Sequence, residues 1–210
     1  MPLPFSVAMA VNGRRSILLL KHIVKCWQDL GARIAVAGPG GYIAELGGVT
    51  LVQHETSPQR FGDAQQAALD ALDGYVLLSN DNILPMAGNW QGVRMEPDAI
   101  CTVRLVTILG QRYSDWATLV RGRVVNQGYH EHRPGTFING GAQLIAPEVR
   151  RRVSYRGRVF HRSCDIGYCL DAAKAGCKLL PPMPDGPTLI KLYQFAPHPR
   201  DPERIDVPLT

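Results

Sequence analysis

Apolar and polar positions alternate along the first eighty residues in a way that predicts strands and helices in turn. The runs 4–11, 32–37 and 49–54 are predicted strands, and the first of them is a short apolar run that suits a buried strand. Between the first two runs, apolar residues recur at helical spacing over 16–30, with Ser16 suited to the N-cap and Gly31 to the C-terminal stop. An Ala- and Gln-rich helix is predicted over 61–72. This order predicts an α/β fold whose neighbouring strands are parallel.

The stretch 74–85 changes abruptly from apolar to polar. Its apolar part, 75–78, is typical of a central parallel strand that helices cover on both faces. The polar residues Asn80, Asp81 and Asn82 then fall at the carboxyl end of that strand, where open α/β sheets bind ligands. Oxygen atoms of this cluster suit a hard metal ion or a ribose hydroxyl. A turn that simply ends the strand is the alternative interpretation, because Asn and Asp are common turn formers.

Length and composition indicate an ordinary globular protein. The chain has 210 residues, 45% of them hydrophobic and 20% charged, which fits one domain over 1–210. A formal net charge of +5 suits anionic partners such as nucleotide phosphates, and it is too small to predict nucleic-acid binding. Five cysteines without a C-x-x-C pair favour reduced thiols in a cytoplasmic protein. We also expect neither a signal peptide nor a membrane span.

A glycine loop at 38–41 supports a competing hypothesis. It follows a predicted strand, and Glu55 follows the next strand, as in dinucleotide-binding proteins. Ile43 occupies the third glycine position, however, and only about two helical turns fit before Gly47. A plain tight turn therefore remains the other interpretation of this loop.

Three later segments carry a resemblance to a known family. The helix at 62–71 and the strand at 74–78 resemble the family 2 glycosyltransferases of GT-A fold, in which such a helix precedes the strand with the acidic D-x-D-type metal motif. Residues 164–179 are similar to the family's segment in which an acidic pair begins a helix and a glycine ends it. Residues 137–147 resemble the strand that passes beneath the donor sugar. The resemblance implies a GT-A fold with a mostly parallel central sheet flanked by helices.

The same resemblance implies a function and a set of site residues. It implies transfer of a sugar from a nucleotide-sugar donor to an unidentified acceptor, with inversion at the anomeric carbon. Asp165, which begins the helix at 164–179, takes the position of the catalytic base. The expected donor-binding residues are Ala10, Asn12, Asn80, Asp81, Gly140 and Gly141. The glycines would let backbone groups approach the ligand, although a β-bulge or tight bend explains them equally well.

The resemblance also implies a divalent cofactor, Mn²⁺ or Mg²⁺, held by Asp81, Asn82 and the late histidine His198. Here the motif reads Asn80-Asp81-Asn82, so only its central carboxylate is present. Carboxamide oxygens are neutral ligands, and we therefore expect weak metal binding and activity that needs millimolar metal or tolerates its absence. A surface histidine without a role is the alternative for His198.

Several other features have both a functional and an ordinary interpretation. His130 and His132 in the stretch 129–133 could bind a metal, or lie in a solvated loop. A basic run could attract diphosphate or form a solvated face; its members are Arg150, Arg151, Arg152, Arg156, Arg158 and Arg162. The runs 99–109 and 117–125 predict strands. Eight prolines within 181–210 predict an extended C-terminal tail.

Two other function classes therefore stay open at the level of sequence. One is a dinucleotide-binding or nucleotidyl-transferring enzyme on a similar α/β sheet. The other is a catalytically weak protein that binds nucleotide sugars without transferring them. The nucleotide, the sugar and the acceptor all depend on loops, which sequence patterns do not position.

Overall fold

A computed structural model describes residues 2–86, 88–121, 123–158 and 164–192. In chain order its strands are β1 (Ser6–Ala10), β2 (Arg33–Gly38), β3 (Thr50–Gln53), β4 (Val76–Asn80), β5 (Ile83–Pro85), β6 (Ala99–Thr102), β7 (Arg104–Thr107), β8 (Ala117–Val120), β9 (Arg123–Asn126), β10 (Thr136–Phe137), β11 (Gln143–Ile145), β12 (Lys178–Leu180) and β13 (Thr188–Lys191). The α-helices are α1 (Ile17–Asp29), α2 (Gly40–Ile43), α3 (Phe61–Asp70), α4 (Pro147–Arg152) and α5 (Cys164–Lys174), and a 3₁₀ turn spans Pro58–Arg60.

Seven strands form the main sheet, in the order β12-β6-β11-β4-β1-β2-β3. Strand β11 runs antiparallel to β4 and β6, and the other neighbouring pairs are parallel. The predicted α/β architecture with a mostly parallel central sheet is therefore confirmed. Strand β4 lies in the middle of it, between β1 and β11, as its unbroken apolar run predicts.

The core lies on both faces of this sheet, because successive residues of each strand point to opposite sides. Ala8, Ala35 and Leu78 belong to one buried cluster, which includes residues of α3 and α5. Val7 and Leu77 belong to the other, which includes the buried stripe of α1. Covering both faces leaves the strand ends as the place where polar side chains reach solvent.

The predicted helices agree with the structure within one or two residues. Ser16 is the N-cap residue of α1, although its side chain makes no capping hydrogen bond. Gly176 follows α5 with φ of +78°, a backbone angle that glycine adopts without strain. The predicted C-terminal stop of α5 therefore lies where the sequence indicates.

Two predicted strands and the predicted tail differ in detail. The run 99–109 divides into β6 and β7, because Val103 bonds to Ala142 and the chain then leaves the main sheet for one made of β5, β13 and β7. The run 117–125 folds back as the antiparallel pair β8 and β9, with Arg121 at φ of +51° in the turn. Within the predicted tail, Thr188–Lys191 forms β13. No helix among the described residues has the length and apolar character needed to cross a membrane.

Candidate functional site

The polar end of β4 lies beside the end of β1 in the middle of the sheet. Ala10 and Asn80 are paired in register on these two parallel strands. Ala10 is buried and has only a methyl side chain, so a ligand there would meet its backbone and that methyl group. Two predicted donor-binding residues are thus neighbours; a loop follows Ala10, and a two-residue turn into β5 follows Asn80.

Asp81 is an ion-paired and almost fully buried carboxylate. It is 7% exposed, and its Oδ1 lies 3.0 Å from Nε of Arg15, in the loop between β1 and α1. Burial raises the pKa of the Asp81 carboxyl above its ordinary value, while the positive charges of Arg15 and Lys191 act in the opposite direction. The only acidic residue of the polar cluster therefore faces cationic side chains of its own chain.

The loop that carries Arg15 is held by specific hydrogen bonds. The hydroxyl of Tyr42 donates to the backbone carbonyl of Arg15 at 3.0 Å. Asn12 accepts the backbone N–H of Arg14 through its side-chain oxygen at 3.0 Å. Asn12, a predicted donor-binding residue, therefore shapes this loop from within, and the loop places the Arg15 side chain against Asp81.

Asn82 connects the site to the C-terminal strand. Its side-chain nitrogen donates to the carbonyl of Leu192 at 3.1 Å, and its backbone carbonyl accepts the N–H of Leu192 at 2.8 Å. These bonds continue the antiparallel pairing in which Lys191 lies opposite Ile83. Asn82 thereby helps to hold β13, and with it Lys191, beside the end of β4.

The glycine loop between β10 and β11 lies against the same cluster. A Cβ on Gly141 would collide with Cδ1 of Ile83 and come within 3.1 Å of the side-chain nitrogen of Asn80. The Gly141 N–H donates to the side-chain oxygen of Asn139 at 3.1 Å. A side chain at this position would force the end of the Ile83 side chain to move, so the close packing at the site favours glycine.

Asp165 lies on the other side of that loop. It stands in the first turn of α5, partly exposed, and its Oδ2 accepts the backbone N–H of Gly140 at 2.8 Å. This hydrogen bond links α5 to the glycine loop. An ionised carboxylate has about four acceptor sites, so Asp165 keeps acceptor sites for a ligand. The structure brings Asn80, Gly140, Gly141 and Asp165 into one region.

A divalent cation does not suit the donor set around Asp81. A hard dication prefers several oxygen ligands with carboxylates among them, whereas here the single carboxylate is already paired with Arg15 and the two neighbouring side chains are neutral carboxamides. No group of three or more His, Cys, Asp or Glu side chains that could hold a metal occurs in the described ranges. The third predicted ligand, His198, lies outside the described residues.

Side chains of the stretch 129–133 and of the basic run contact other residues of the fold. His132 packs against Trp116 with ring centroids 5.8 Å apart, and Glu131 pairs with Arg133 at 2.6 Å. The basic run between Arg150 and Arg162 also makes contacts within the fold. Its member Arg158 pairs with Asp171 at 2.6 Å. Arg150 donates to the carbonyls of Leu69, Leu72 and Gly74, where α3 ends, and Arg156 pairs with Asp70. These arginines hold the fold together, while Arg162 lies outside the described residues.

The glycine loop at 38–41 forms a cavity but no phosphate-binding helix. Helix α2 has only four residues, too few for the aligned amides of a nucleotide-binding turn. Glu55 is exposed and lies 3.7 Å from Arg60. A cavity of about 390 Å³ opens here, lined by Pro39, Gly40, Gln53, His54, Glu55, Thr56, Ser57 and Arg60. The geometry of a dinucleotide fold is therefore missing at its expected position.

Arg15 and Lys191 are the site residues that sequence reasoning missed. The adjacent arginines 14 and 15 after a predicted strand were a weak signal, because a charged loop residue is usually solvated. Lys191 gave no signal, since its place depends on how β13 pairs. Both come from segments far in sequence from Asp81.

Comparison with known proteins identifies the fold. The chain is similar to crystal structures of TarS, a glycosyltransferase from S. aureus. For TarS 1–349 in complex with UDP-GlcNAc the TM-score is 0.58 at 12% identity, covering 94% of this chain and 60% of that one. For the complex with UDP the TM-score is 0.53 at 13% identity, covering 92% and 61%. The chain thus spans about three fifths of each of these two TarS chains.

These similarities confirm the predicted GT-A-type fold. No protein-family model matches the chain, and no curated protein does either. Membership of family 2 in particular therefore stays a prediction, as do the roles of the site residues.

Proposed function

We propose that this chain is a glycosyltransferase that transfers a sugar from a nucleotide-sugar donor to an acceptor hydroxyl, with inversion. The observation that carries the proposal is the convergence of Asp165, the loop of Gly140 and Gly141, and the polar end of β4 at the carboxyl edge of a GT-A-type sheet. Ligands bind at this edge of open α/β sheets. One of the similar TarS structures holds UDP-GlcNAc, a nucleotide sugar, which is the class of donor proposed here. Another holds UDP.

The donor would lie over the ends of β1 and β4. Ala10 and Asn80 border this position, Asn12 shapes the loop beside it, and Asp81 lies beneath. Gly140 and Gly141 leave room for a sugar to approach the backbone, because neither has a side chain. The amide of Asn80 could hydrogen-bond a donor hydroxyl.

Asp165 would act as the general base. It takes the proton of the acceptor hydroxyl as that oxygen attacks the anomeric carbon from the face opposite the leaving group. The bond from the anomeric carbon to the diphosphate breaks, and its electron pair leaves with the nucleotide. The backbone N–H of Gly140 holds the Asp165 carboxylate at 2.8 Å, which fixes its orientation on a rigid helix end.

A screen of donors followed by a turnover assay tests this function. The melting temperature is measured with UDP-, GDP-, dTDP- and CMP-sugars, each with and without Mn²⁺, and with NAD and FAD as dinucleotide controls. We expect one nucleotide-sugar class to raise it, because a ligand that binds only the folded state stabilises that state. The same donor should then be cleaved to free nucleotide. Binding without cleavage would indicate a binding protein, and stabilisation by dinucleotides alone would contradict the proposal.

A further inference from the structure

The buried ion pair between Arg15 and Asp81 stands where the resembling enzymes carry an acidic metal motif. We infer that Arg15, held in place by Asp81, supplies the positive charge that binds the donor diphosphate, so that donor binding does not require a divalent metal. This inference rests on the proposed function for the identity of the ligand. Asp81 then acts as a positioning residue for Arg15.

The contact between the two side chains leaves most of the guanidinium available. Asp81 lies 3.0 Å from Nε, which is one of five N–H donors of an arginine. The Arg15 side chain is 22% exposed, so it reaches from the buried carboxylate toward solvent. Its planar fork can donate two parallel hydrogen bonds to a phosphate, a geometry that lysine and neutral side chains do not offer.

The position of Arg15 is set before any ligand arrives. Tyr42 bonds to its backbone carbonyl, and Asn12 bonds to the N–H of the preceding residue. Helix α1 starts two residues later and buries Leu20 against the sheet. A charge held in this way loses little conformational entropy when it binds an anion, which increases affinity.

The local charge balance favours an anion over a cation. Arg15 lies 3.0 Å from the Asp81 carboxylate, and strand β13 carries a second cation, Lys191, opposite Ile83, two residues from Asp81. Lys191 also lies over the Tyr113 ring, 4.8 Å from its centroid. A dication placed on Asp81 would have to compete with Arg15 for the same carboxylate, whereas a diphosphate would be attracted by the excess positive charge.

This charge also has a chemical consequence. When the bond to the anomeric carbon breaks, negative charge grows on the diphosphate oxygen that leaves. A fixed guanidinium close to that oxygen stabilises the developing charge without reorganisation of solvent. Arg15 would in this way assist both binding and departure of the nucleotide.

Calorimetry with inorganic pyrophosphate and with UDP tests the inference, in EDTA and again in Mn²⁺. We expect wild type to bind both probes in EDTA. Arg15→Gln should weaken binding by about tenfold or more, the scale of a lost charged hydrogen bond. Arg14→Gln is the matched control, because Arg14 is the exposed neighbour with the same charge, and it should bind both probes as wild type does.

Arg15→Gln leaves the buried Asp81 carboxylate unpaired and can therefore destabilise the protein. The double variant Arg15→Gln/Asp81→Asn removes both charges, should fold as judged by circular dichroism, and should show the same loss of pyrophosphate binding. Binding by wild type only when Mn²⁺ is present, or unchanged binding in both variants, would overturn the inference. Cleavage of a nucleotide sugar in that case would still support the proposed function. Metal-free binding that depends on Arg15, with no donor cleaved, would instead retain the inference and reject the transferase.

Discussion

The single carboxylate of Asp165 has a structural contact with Gly140 and a proposed role as general base. Its Oδ2 accepts the N–H of Gly140, which is a structural role, and the carboxylate keeps further acceptor sites that the proposed role as a base would use. Asp63 provides a comparison within the same molecule. It also stands in the first turn of a helix, and it accepts the N–H of Gly157 at 2.7 Å. The two carboxylates differ in location, because Asp165 bonds to the glycine loop at Gly140 whereas Asp63 bonds to Gly157.

Replacing Asp165 by Asn separates these roles. Asp165→Asn keeps an oxygen for the Gly140 N–H but cannot take a proton, so turnover should fall about 10²- to 10⁴-fold. Donor affinity and melting temperature should stay close to those of wild type. Asp63→Asn, measured in the same steady-state assay, should retain normal turnover. Turnover of Asp165→Asn within a few-fold of wild type would leave this residue a structural acceptor and turn attention to Glu131 and Asp171.

At the residue scale, the sequence predicts some site members and not others. Asn80 and Asp81 could be found because a sharp end to an apolar run marks a strand terminus. Arg15 could not, because its importance comes from a 3.0 Å contact with a residue on a different element. The sequence did not predict the bond from Asn82 to Leu192 either, because the two residues lie on different elements. A side chain's partner is set by the folded path of the chain.

Among the elements, the glycine loop packs tightly against the end of β4 and the start of β5. Ile83 is fully buried, so its side chain has little freedom to move away from an added group. A Cβ at position 141 would meet it and would crowd the Asn80 amide. An added side chain at this position would therefore have to displace the Ile83 side chain or the Asn80 amide.

Gly141→Ala should consequently lower the free energy of unfolding by about 1–3 kcal/mol, the usual cost of overpacking a core. Binding of the donor found in the screen should weaken as well, because Asn80 is displaced. Urea denaturation and calorimetry measure the two effects. Gly41→Ala is the control: an added Cβ there meets nothing within 4 Å, and stability should change by less than about 0.5 kcal/mol. Equal stability of the two variants would show that the loop adapts easily.

Element types were predictable from the sequence, whereas some element boundaries were not. The helices α1, α3 and α5 have apolar faces and end signals that are local in sequence. The run 99–109 is one predicted strand, yet it divides because β6 pairs with β11 in the main sheet and β7 pairs with β13 in another. A pattern of hydrophobicity records burial but does not record which neighbour causes it.

On the scale of the whole molecule, a buried carboxylate joins β7 to the loops that flank β8 and β9. Asp115 is fully buried and accepts hydrogen bonds from the backbone N–H groups of Leu105 and Trp116 and from the hydroxyl of Tyr129. Arg112 pairs with it at 2.6 Å. All of these donors lie in the middle of the chain, where no family pattern was recognised.

Loss of this carboxylate should destabilise the protein strongly. Asp115→Asn leaves Arg112 without its counterion and removes acceptor capacity, which should lower the free energy of unfolding by roughly 2–4 kcal/mol. Glu148→Gln is the control, because its pair with Arg151 is exposed and such pairs contribute about 0–1 kcal/mol. Urea denaturation compares the two. A loss no larger than that of the control would mean that the network can rearrange.

The sequence by itself determined the α/β class, the central position of β4 and the polar residues at its carboxyl end, because periodicity and abrupt changes in polarity are local properties. Tertiary structure alone decided that Asp81 pairs with Arg15, that Lys191 lies opposite Ile83, and that Gly140 bonds to Asp165. Each of these contacts joins elements that are distant along the chain. Their geometry depends on strand order and loop paths, which the packing of the entire core determines.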